Sequence, residues 1–241
     1  TVRAVDDVSL TVKTGEAHGI AGESGCGKTT LAKLVLLLEK ADSGSVAFEG
    51  RDITRLAGKD LKNFRRQAQI IFQDPQSSLD PRMTVRELVE EPLIIHGLGT
   101  SAERLKTVTG LMDKTGLSAS FLDRYPHEFS GGQRQRIGIA RALALRPKLI
   151  VADECVSALD VSISAQILNL LKDLRAEFGL SYLFVSHDLS VMRFLCDRIT
   201  VMHAGKAVES GPAQELLTAP KHAYTQTLLA AVPRHPREKY A

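Results

Sequence analysis

Hydrophobic and polar positions change rhythm several times along the chain. Val8-Ser9-Leu10-Thr11-Val12 alternates strictly. Together with the apolar stretches that follow, it predicts short strands over 4–12, 17–21 and 45–48, with turns at Thr14-Gly15 and Asp42-Ser43-Gly44. One helical run, 28–38, interrupts them. A further strand is expected over 69–72, after which Asp74-Pro75 and Asp80-Pro81 break the chain. From 85 to 145 the pattern is mostly helical and carries no convincing strand. After Pro147 the alternation returns: strand 149–152, helix, strand 182–186, helix, then strands on either side of Ala204-Gly205. The helix between the first two of these is well marked. Ile163, Ile167, Leu170, Leu171, Leu174 and Phe178 share one face, and Gly179 stops it.

Strands alternating with helices imply an α/β fold with a mainly parallel sheet covered on both sides. The helical block in the middle is then an inserted subdomain. No internal repeat or low-complexity tract is visible. The chain opens at Thr1 without a Met and runs almost directly into a strand pattern, so further residues are expected at that end, and the same is suspected of the other.

Composition narrows the classes. The 241 residues are 44% hydrophobic, 24% charged and 5% aromatic, ordinary globular values. Thirty-one Lys and Arg against twenty-eight Asp and Glu leave +3, too mild a balance for a nucleic-acid binder. The densest apolar run, 34–38, is far short of the ~18 residues a membrane helix needs, so a soluble chain is expected. Three scattered cysteines, Cys26, Cys155 and Cys196, make neither a disulfide framework nor a zinc site, and they suit a reducing compartment.

The strongest chemical signal is Gly22-Glu23-Ser24-Gly25-Cys26-Gly27-Lys28-Thr29, which fits G-x-x-x-x-G-K-[ST] between a strand ending at Ala21 and a helix starting at Lys28. The glycines let backbone N–H groups turn inward around a phosphate, at a helix N-terminus whose dipole favours anions. Lys28 then reaches the β- and γ-phosphates, and the Thr29 hydroxyl takes a place on Mg²⁺. Thr30 closes the nucleotide-binding run. A second signal is Leu149-Ile150-Val151-Ala152-Asp153-Glu154, an apolar run ending in two acids at the C-terminal edge of a buried strand. Asp153 is expected to hold Mg²⁺ through water, and Glu154 to polarise the attacking water as general base.

Phe129-Ser130-Gly131-Gly132-Gln133 leads into a further helix. Ser130 is a good N-cap, and Gly131 and Gly132 leave the helix N-terminus bare. Read alone it is an ordinary cap; beside a phosphate loop it is a second phosphate-binding surface. One triphosphate does not need both in one chain, so a second copy or a relative is expected to supply one half.

With these motifs in place the sequence resembles the ATP-binding cassette family over essentially its whole length. Residues 22–29 look like its Walker A loop, 149–154 its Walker B strand and glutamate, and 130–133 its signature. Ser157-Ala158-Leu159-Asp160 is similar to its D-loop. Gln73, after Ile70-Ile71-Phe72, sits where the family has a glutamine that contacts Mg²⁺ and faces the transmembrane partner. His187 matches the histidine that contacts the γ-phosphate.

The resemblance implies a P-loop NTPase (RecA-like) core with an N-terminal antiparallel β subdomain. The core would span 1–84 and 146–241, with the helical signature subdomain at 85–145. It implies an ATPase dimerising head to tail with a second cassette subunit, identical or different, around ATP and Mg²⁺. Asp160, Ser130, Gly131, Gly132 and Gln133 would complete the nucleotide site with Gln73, Glu154 and His187.

The run 73–85, with Ala158-Leu159-Asp160-Val161-Ser162 and His222-Ala223-Tyr224-Thr225, is similar to ATPases of bacterial and archaeal peptide and nickel importers, most of all to the second of their two ATPase subunits. This likeness implies a peripheral subunit on the cytoplasmic face of the membrane. Its partners would be two permease subunits and an extracytoplasmic solute-binding protein, with peptide as first cargo, nickel as the alternative and no nucleic acid. A soluble, non-transport cassette ATPase is the rival class, disfavoured by the single cassette and the absence of sustained heptads. Three departures from the pattern stand out. Phe129 replaces a commoner Leu, Cys155 a commoner Pro, and no aromatic residue precedes the first strands to stack on adenine. His222 and Tyr224 read as a surface helix start with no catalytic role.

Overall fold

The computed structural model describes residues 3–231. Its frame is a six-stranded sheet of β1 (Ala17–Ala21), β4 (Ala68–Ile71), β5 (Leu149–Asp153), β6 (Ser181–Ser186), β7 (Arg198–His203) and β8 (Lys206–Pro212), in the order β4-β5-β6-β1-β7-β8. All neighbours run parallel except β7 and β8, which form an antiparallel hairpin with an irregularity between Val201 and Met202. A separate two-stranded hairpin pairs β2 (Ala47–Phe48) with β3 (Arg51–Asp52). Its tight turn at Glu49-Gly50 has both residues at positive φ, as two-residue hairpin turns require.

Every residue of β1, β5 and β6 is buried, the mark of a parallel sheet covered on both faces. Alternate residues divide between two cores because side chains alternate across a strand. Ile150, Ala152, Tyr182 and Phe184 enter one core, where they meet α6 (Gly131–Leu143) and α7 (Val161–Phe178); Leu149, Val151, Leu183 and Val185 enter the other, with α1 (Lys28–Val35) and Phe64 of α2 (Gly58–Gln67).

A short α3 (Pro75–Ser78) follows β4, and α4 (Val85–Ile95), α5 (Ser101–Lys114) and α6 then pack together through Val85, Leu88, Val108, Met112 and Ile137. Each of these three helices starts on a reciprocal capping box, Thr84 with Glu87, Thr100 with Glu103, and Ser130 with Gln133. The buried carboxylate of Glu90 is paired with Arg104 Nε at 2.7 Å and Arg86 Nε at 3.4 Å. The remaining helices are α8 (Leu189–Leu195), α9 (Ala213–Thr218) and α10 (Ala223–Ala230). Among the described residues no helix is long and apolar enough to cross a membrane.

Some elements depart from the sequence reading. The alternation at 4–12 is real, for Val5, Val8, Leu10 and Val12 pack on the second core. Yet this segment is not a strand. Asp6 N–H donates to Gly205 O, and no ladder forms along it among the described residues. Of the expected N-terminal antiparallel β subdomain, the strands described are the β2–β3 hairpin. The helix expected over 28–38 stops at Val35, since Leu37 turns to φ +53. Helix α2 was not anticipated: of its ten residues only Phe64 is buried, so the apolar signal is too sparse.

Candidate active site

Sheet register builds the site. Ala21 at the end of β1 lies beside Ser186 at the end of β6, Asp153 at the end of β5 beside Val185, and Ile71 at the end of β4 beside Ala152. The segments leaving these strands therefore emerge at one carboxyl edge: the loop 22–29 from β1, Gln73 after β4, Glu154 after β5 and His187 after β6. Ligands of open parallel sheets bind at such an edge.

The loop after β1 is shaped by glycines at positive φ, and at two of them a Cβ has no room. Gly22, Gly25 and Gly27 have φ of +151°, +81° and +104°. A Cβ on Gly22 would stand 2.3 Å from Met202 O, and one on Gly27 2.0 Å from Ala4 O. Lys28, 4% exposed, curls back into this loop and donates from Nζ to Gly22 O and Glu23 O, both at 2.8 Å. A buried ammonium inside a ring of loop backbone, at the start of α1, is a cradle for phosphate oxygens.

Thr29 Oγ1 donates to Asp153 Oδ1 at 3.2 Å, joining the two residues expected at the metal. Burial pushes the Asp153 carboxyl above its usual value; the Thr29 hydrogen bond opposes this, Glu154 adds to it, and Lys28 and Lys33 pull it down. A hydroxyl and a buried carboxylate beside a phosphate cradle are the oxygen donors a Mg²⁺ carried in by a nucleotide uses, so the residues present fit that ion.

Glu154 is the centre of the second group. Its backbone takes the left-handed conformation, φ +46°, held by N–H donation to Val185 O at 2.9 Å and by Ser157, whose N–H and hydroxyl both donate to Glu154 O. Such a turn stores strain of about 1–3 kcal/mol. The carboxylate accepts from Gln73 Nε2 at 3.1 Å, and His187 Nδ1 lies 3.4 Å from its other oxygen. His187 is fixed in the short link between β6 and α8, where Asp188 N–H donates to Ser186 Oγ and Asp188 caps α8 through Ser190 N–H. Two residues far apart in sequence, Gln73 and His187, thus meet on the Glu154 carboxylate. The adjoining Cys155 is fully buried, and burial pushes its thiol up to about 12, which removes it as a nucleophile.

Residues 130–133 lie elsewhere. Ser130 N–H donates to Gln133 Oε1 at 3.0 Å, and Ser130 Oγ accepts from Gln133 N–H at 3.4 Å. Gly132 is needed for packing, as a Cβ there would be 2.5 Å from Ile163 Cγ2. Among the described residues no hydrogen bond or ion pair joins 130–133 to the phosphate loop. Asp160 stands at the N-cap of α7 with its side chain exposed and making no cap bond. Within one chain the structure brings together residues 22–30, Asp153, Glu154, Gln73 and His187, and leaves Ser130–Gln133 and Asp160 apart. An aromatic pair that the sequence did not announce also reaches the loop. The His203 and Tyr224 rings pack tilted by 34° with centroids 4.0 Å apart, and Tyr224 Oη accepts from Glu23 N–H at 3.2 Å.

The profile described as ABC transporter matches residues 5–157. The chain belongs to the ABC transporter family. A second profile, described as the C-terminal region of oligopeptide/dipeptide transporters, matches residues 208–240 of this cassette. Oligopeptide transport ATP-binding protein OppF of Streptococcus mutans is 55% identical over 96% of this chain and 76% of that protein; AppF of Bacillus subtilis is 53% identical over 96% and 71%. Among solved structures, the ATP-binding cassette MJ0796, a dimer in a post-hydrolysis state bound to ADP and Pi, has a TM-score of 0.79 at 34% identity, covering 88% of this chain and 91% of its own. CbiO1 of Clostridium perfringens, part of the ABC transporter complex cbiONQ, has a TM-score of 0.82 at 28% identity, with 90% and 84% covered. This cassette is an ATPase of that family.

Proposed function

We propose that this ATPase powers the uptake of di- and oligopeptides as a peripheral subunit on the cytoplasmic face of a membrane importer. The observation that carries the catalytic part is the convergence of Gln73 and His187 on the Glu154 carboxylate, at the sheet edge that also carries the Lys28 cradle. Lys28, held by the Gly22 and Glu23 carbonyls, turns its remaining donor to the phosphates of ATP. Thr29, Asp153 and Gln73 would hold Mg²⁺, whose charge neutralises the phosphate oxygens. Glu154 accepts the proton of the attacking water, Gln73 orients the carboxylate, and His187 donates toward the γ-phosphate. Ser130, Gly131, Gly132, Gln133 and Asp160 act across a head-to-tail dimer on the nucleotide bound by a second cassette subunit. In that arrangement residues 85–145 serve as the signature-bearing unit between the two core segments.

Peptide as cargo is supported by the profile over 208–240 and by oligopeptide transport proteins 55% and 53% identical to this chain, and these favour it over the nickel alternative. The test is recovery of partners by affinity capture of the full-length protein from detergent-solubilised native membranes. Two multi-span permeases, a second cassette ATPase and a solute-binding protein that takes up peptides are expected. A binding protein that takes nickel would overturn the cargo, and ribosomal or DNA-repair proteins without a permease would overturn the transport reading. Lys28→Ala is expected to abolish ATP binding in equilibrium titration, since the phosphates lose their main cationic partner.

A further inference from the structure

The C-terminal segment does more than cover the sheet. Glu209 on β8 uses both carboxylate oxygens on the backbone that leads into α10, accepting from Lys221 N–H at 2.9 Å and His222 N–H at 3.0 Å. His222 caps α10, its Nδ1 accepting from Tyr224 N–H at 3.1 Å. The Tyr224 ring is thereby laid on His203, at the end of β7, and its phenol oxygen accepts from Glu23 N–H.

The peptide unit reached in this way is the one between Gly22 and Glu23. Its carbonyl, Gly22 O, accepts from Lys28 Nζ at 2.8 Å, while its N–H, pointing the opposite way in a trans peptide, donates to Tyr224 at 3.2 Å. Lys28 holds one edge of that plane and Tyr224 the other. Gly22, with φ +151° and no Cβ, offers little resistance of its own to rotation of this peptide. Release of the Tyr224 bond would free the Gly22 carbonyl to turn from Lys28, and the ammonium would lose one of the two oxygens that fix it in the cradle. The Tyr224 phenol is held above its ordinary pKa, chiefly by burial, so it stays neutral at working pH.

We infer that Tyr224 is a positioning residue for ATP binding: its phenol oxygen orients the Gly22–Glu23 peptide and with it Lys28, tying the C-terminal segment to the phosphate loop. The inference rests on the reading of residues 22–30 as the ATP site. Tyr224→Phe keeps the ring on His203 and removes only the acceptor. In the complete transporter, KM for ATP is expected to rise about three- to tenfold, the worth of one hydrogen bond, with kcat within about twofold. Equilibrium titration with ATP in a Glu154→Gln background, where turnover does not interfere, is expected to show the same loss of affinity. The thermal midpoint without nucleotide stays put, which separates positioning from general destabilisation. An unchanged KM and affinity in Tyr224→Phe, while the parent protein binds and hydrolyses ATP, overturns this inference alone. A parent protein that binds no ATP overturns the site reading beneath it.

Discussion

At Gly27 the demand of the fold on a single residue is absolute. The position combines φ +104° with the Ala4 carbonyl oxygen 2.0 Å from where a Cβ would lie, and that neighbour is backbone, which has no rotamer to escape into. Gly27→Ala is expected to cost at least about 1–3 kcal/mol of strain before any clash is counted, and to lower the thermal midpoint and abolish ATP binding together. Retained binding at parental affinity would show that the loop tolerates another path. His18 offers a pH test. It is 2% exposed, with Nδ1 donating to Thr11 O at 3.1 Å and Nε2 accepting from Thr200 Oγ1 at 2.8 Å, and burial holds its pKa below the ordinary 6.5. Glu16 pulls the value up and Arg198 pulls it down. The unfolded chain therefore takes the proton first. Stability contributed by neutral His18 is complete above about pH 6.5 and is lost as pH falls from there to the lower folded value. Urea midpoints measured down through that window should fall, and His18→Gln should flatten the slope; equal slopes would remove His18 from the account. The loop glycines, Lys28, Asp153 and Glu154 were legible because their chemistry is local in sequence. Gln73 and His187 became legible only through likeness to a family. In the sequence Tyr224 carries a subfamily likeness and the start of a surface helix but no role at the site, because its contact with Glu23 exists only once the β7–β8 hairpin has placed His203 beneath the ring.

At the scale of elements, α6 poses the sharpest choice between structure and function. Ser130 and Gln133 form a reciprocal capping box, so Ser130 earns a place by satisfying backbone donors at the start of the helix. If capping were its whole role, any good cap would serve. Ser130→Ala is expected to destabilise the nucleotide-free chain by about 1 kcal/mol. Ser130→Asp restores the cap and so the thermal midpoint, yet its carboxylate would meet the phosphates bound by the partner subunit, and ATPase turnover of the assembled pair should collapse. Full turnover in Ser130→Asp would reduce the residue to a cap. Elements buried in the parallel sheet are readable because continuous apolar runs such as 149–152 and 182–185 have few other homes. The segment 4–12 misled because alternation reports which side chains face a core and says nothing about whether a neighbouring strand lies alongside. Helix α2 escaped for the opposite reason: Lys, Arg, Asn and Gln fill its solvent side, and Leu61 and Phe64 alone carry its apolar face.

For the whole molecule, the decisive fact is a separation. The sheet edge gathers the phosphate loop, Asp153, Glu154, Gln73 and His187, while Ser130–Gln133 form their own cap and Asp160 leaves its carboxylate unused by the α7 cap. Val161, next to Asp160, is 86% exposed. A single chain thus carries two surfaces suited to one triphosphate, and the economical way to use both is to face another cassette with each. In such a pair hydrolysis would favour separation, because it cuts the γ-phosphate that both surfaces would contact from the rest of the nucleotide. Glu154→Gln separates binding from hydrolysis. The amide can still engage Gln73, so the fold and the Lys28 cradle are kept, but it cannot take the proton of the attacking water, and turnover is expected to fall by about 10²–10⁴. With its partner subunit present, the variant should elute as a dimer when ATP is added and return to monomer when ATP is removed, whereas the parent protein should pass through the dimer only transiently. Elution as a monomer in ATP, with the full partner present and binding confirmed, would mean that residues 130–133 serve no nucleotide in trans, and the two-surface argument would fail with them.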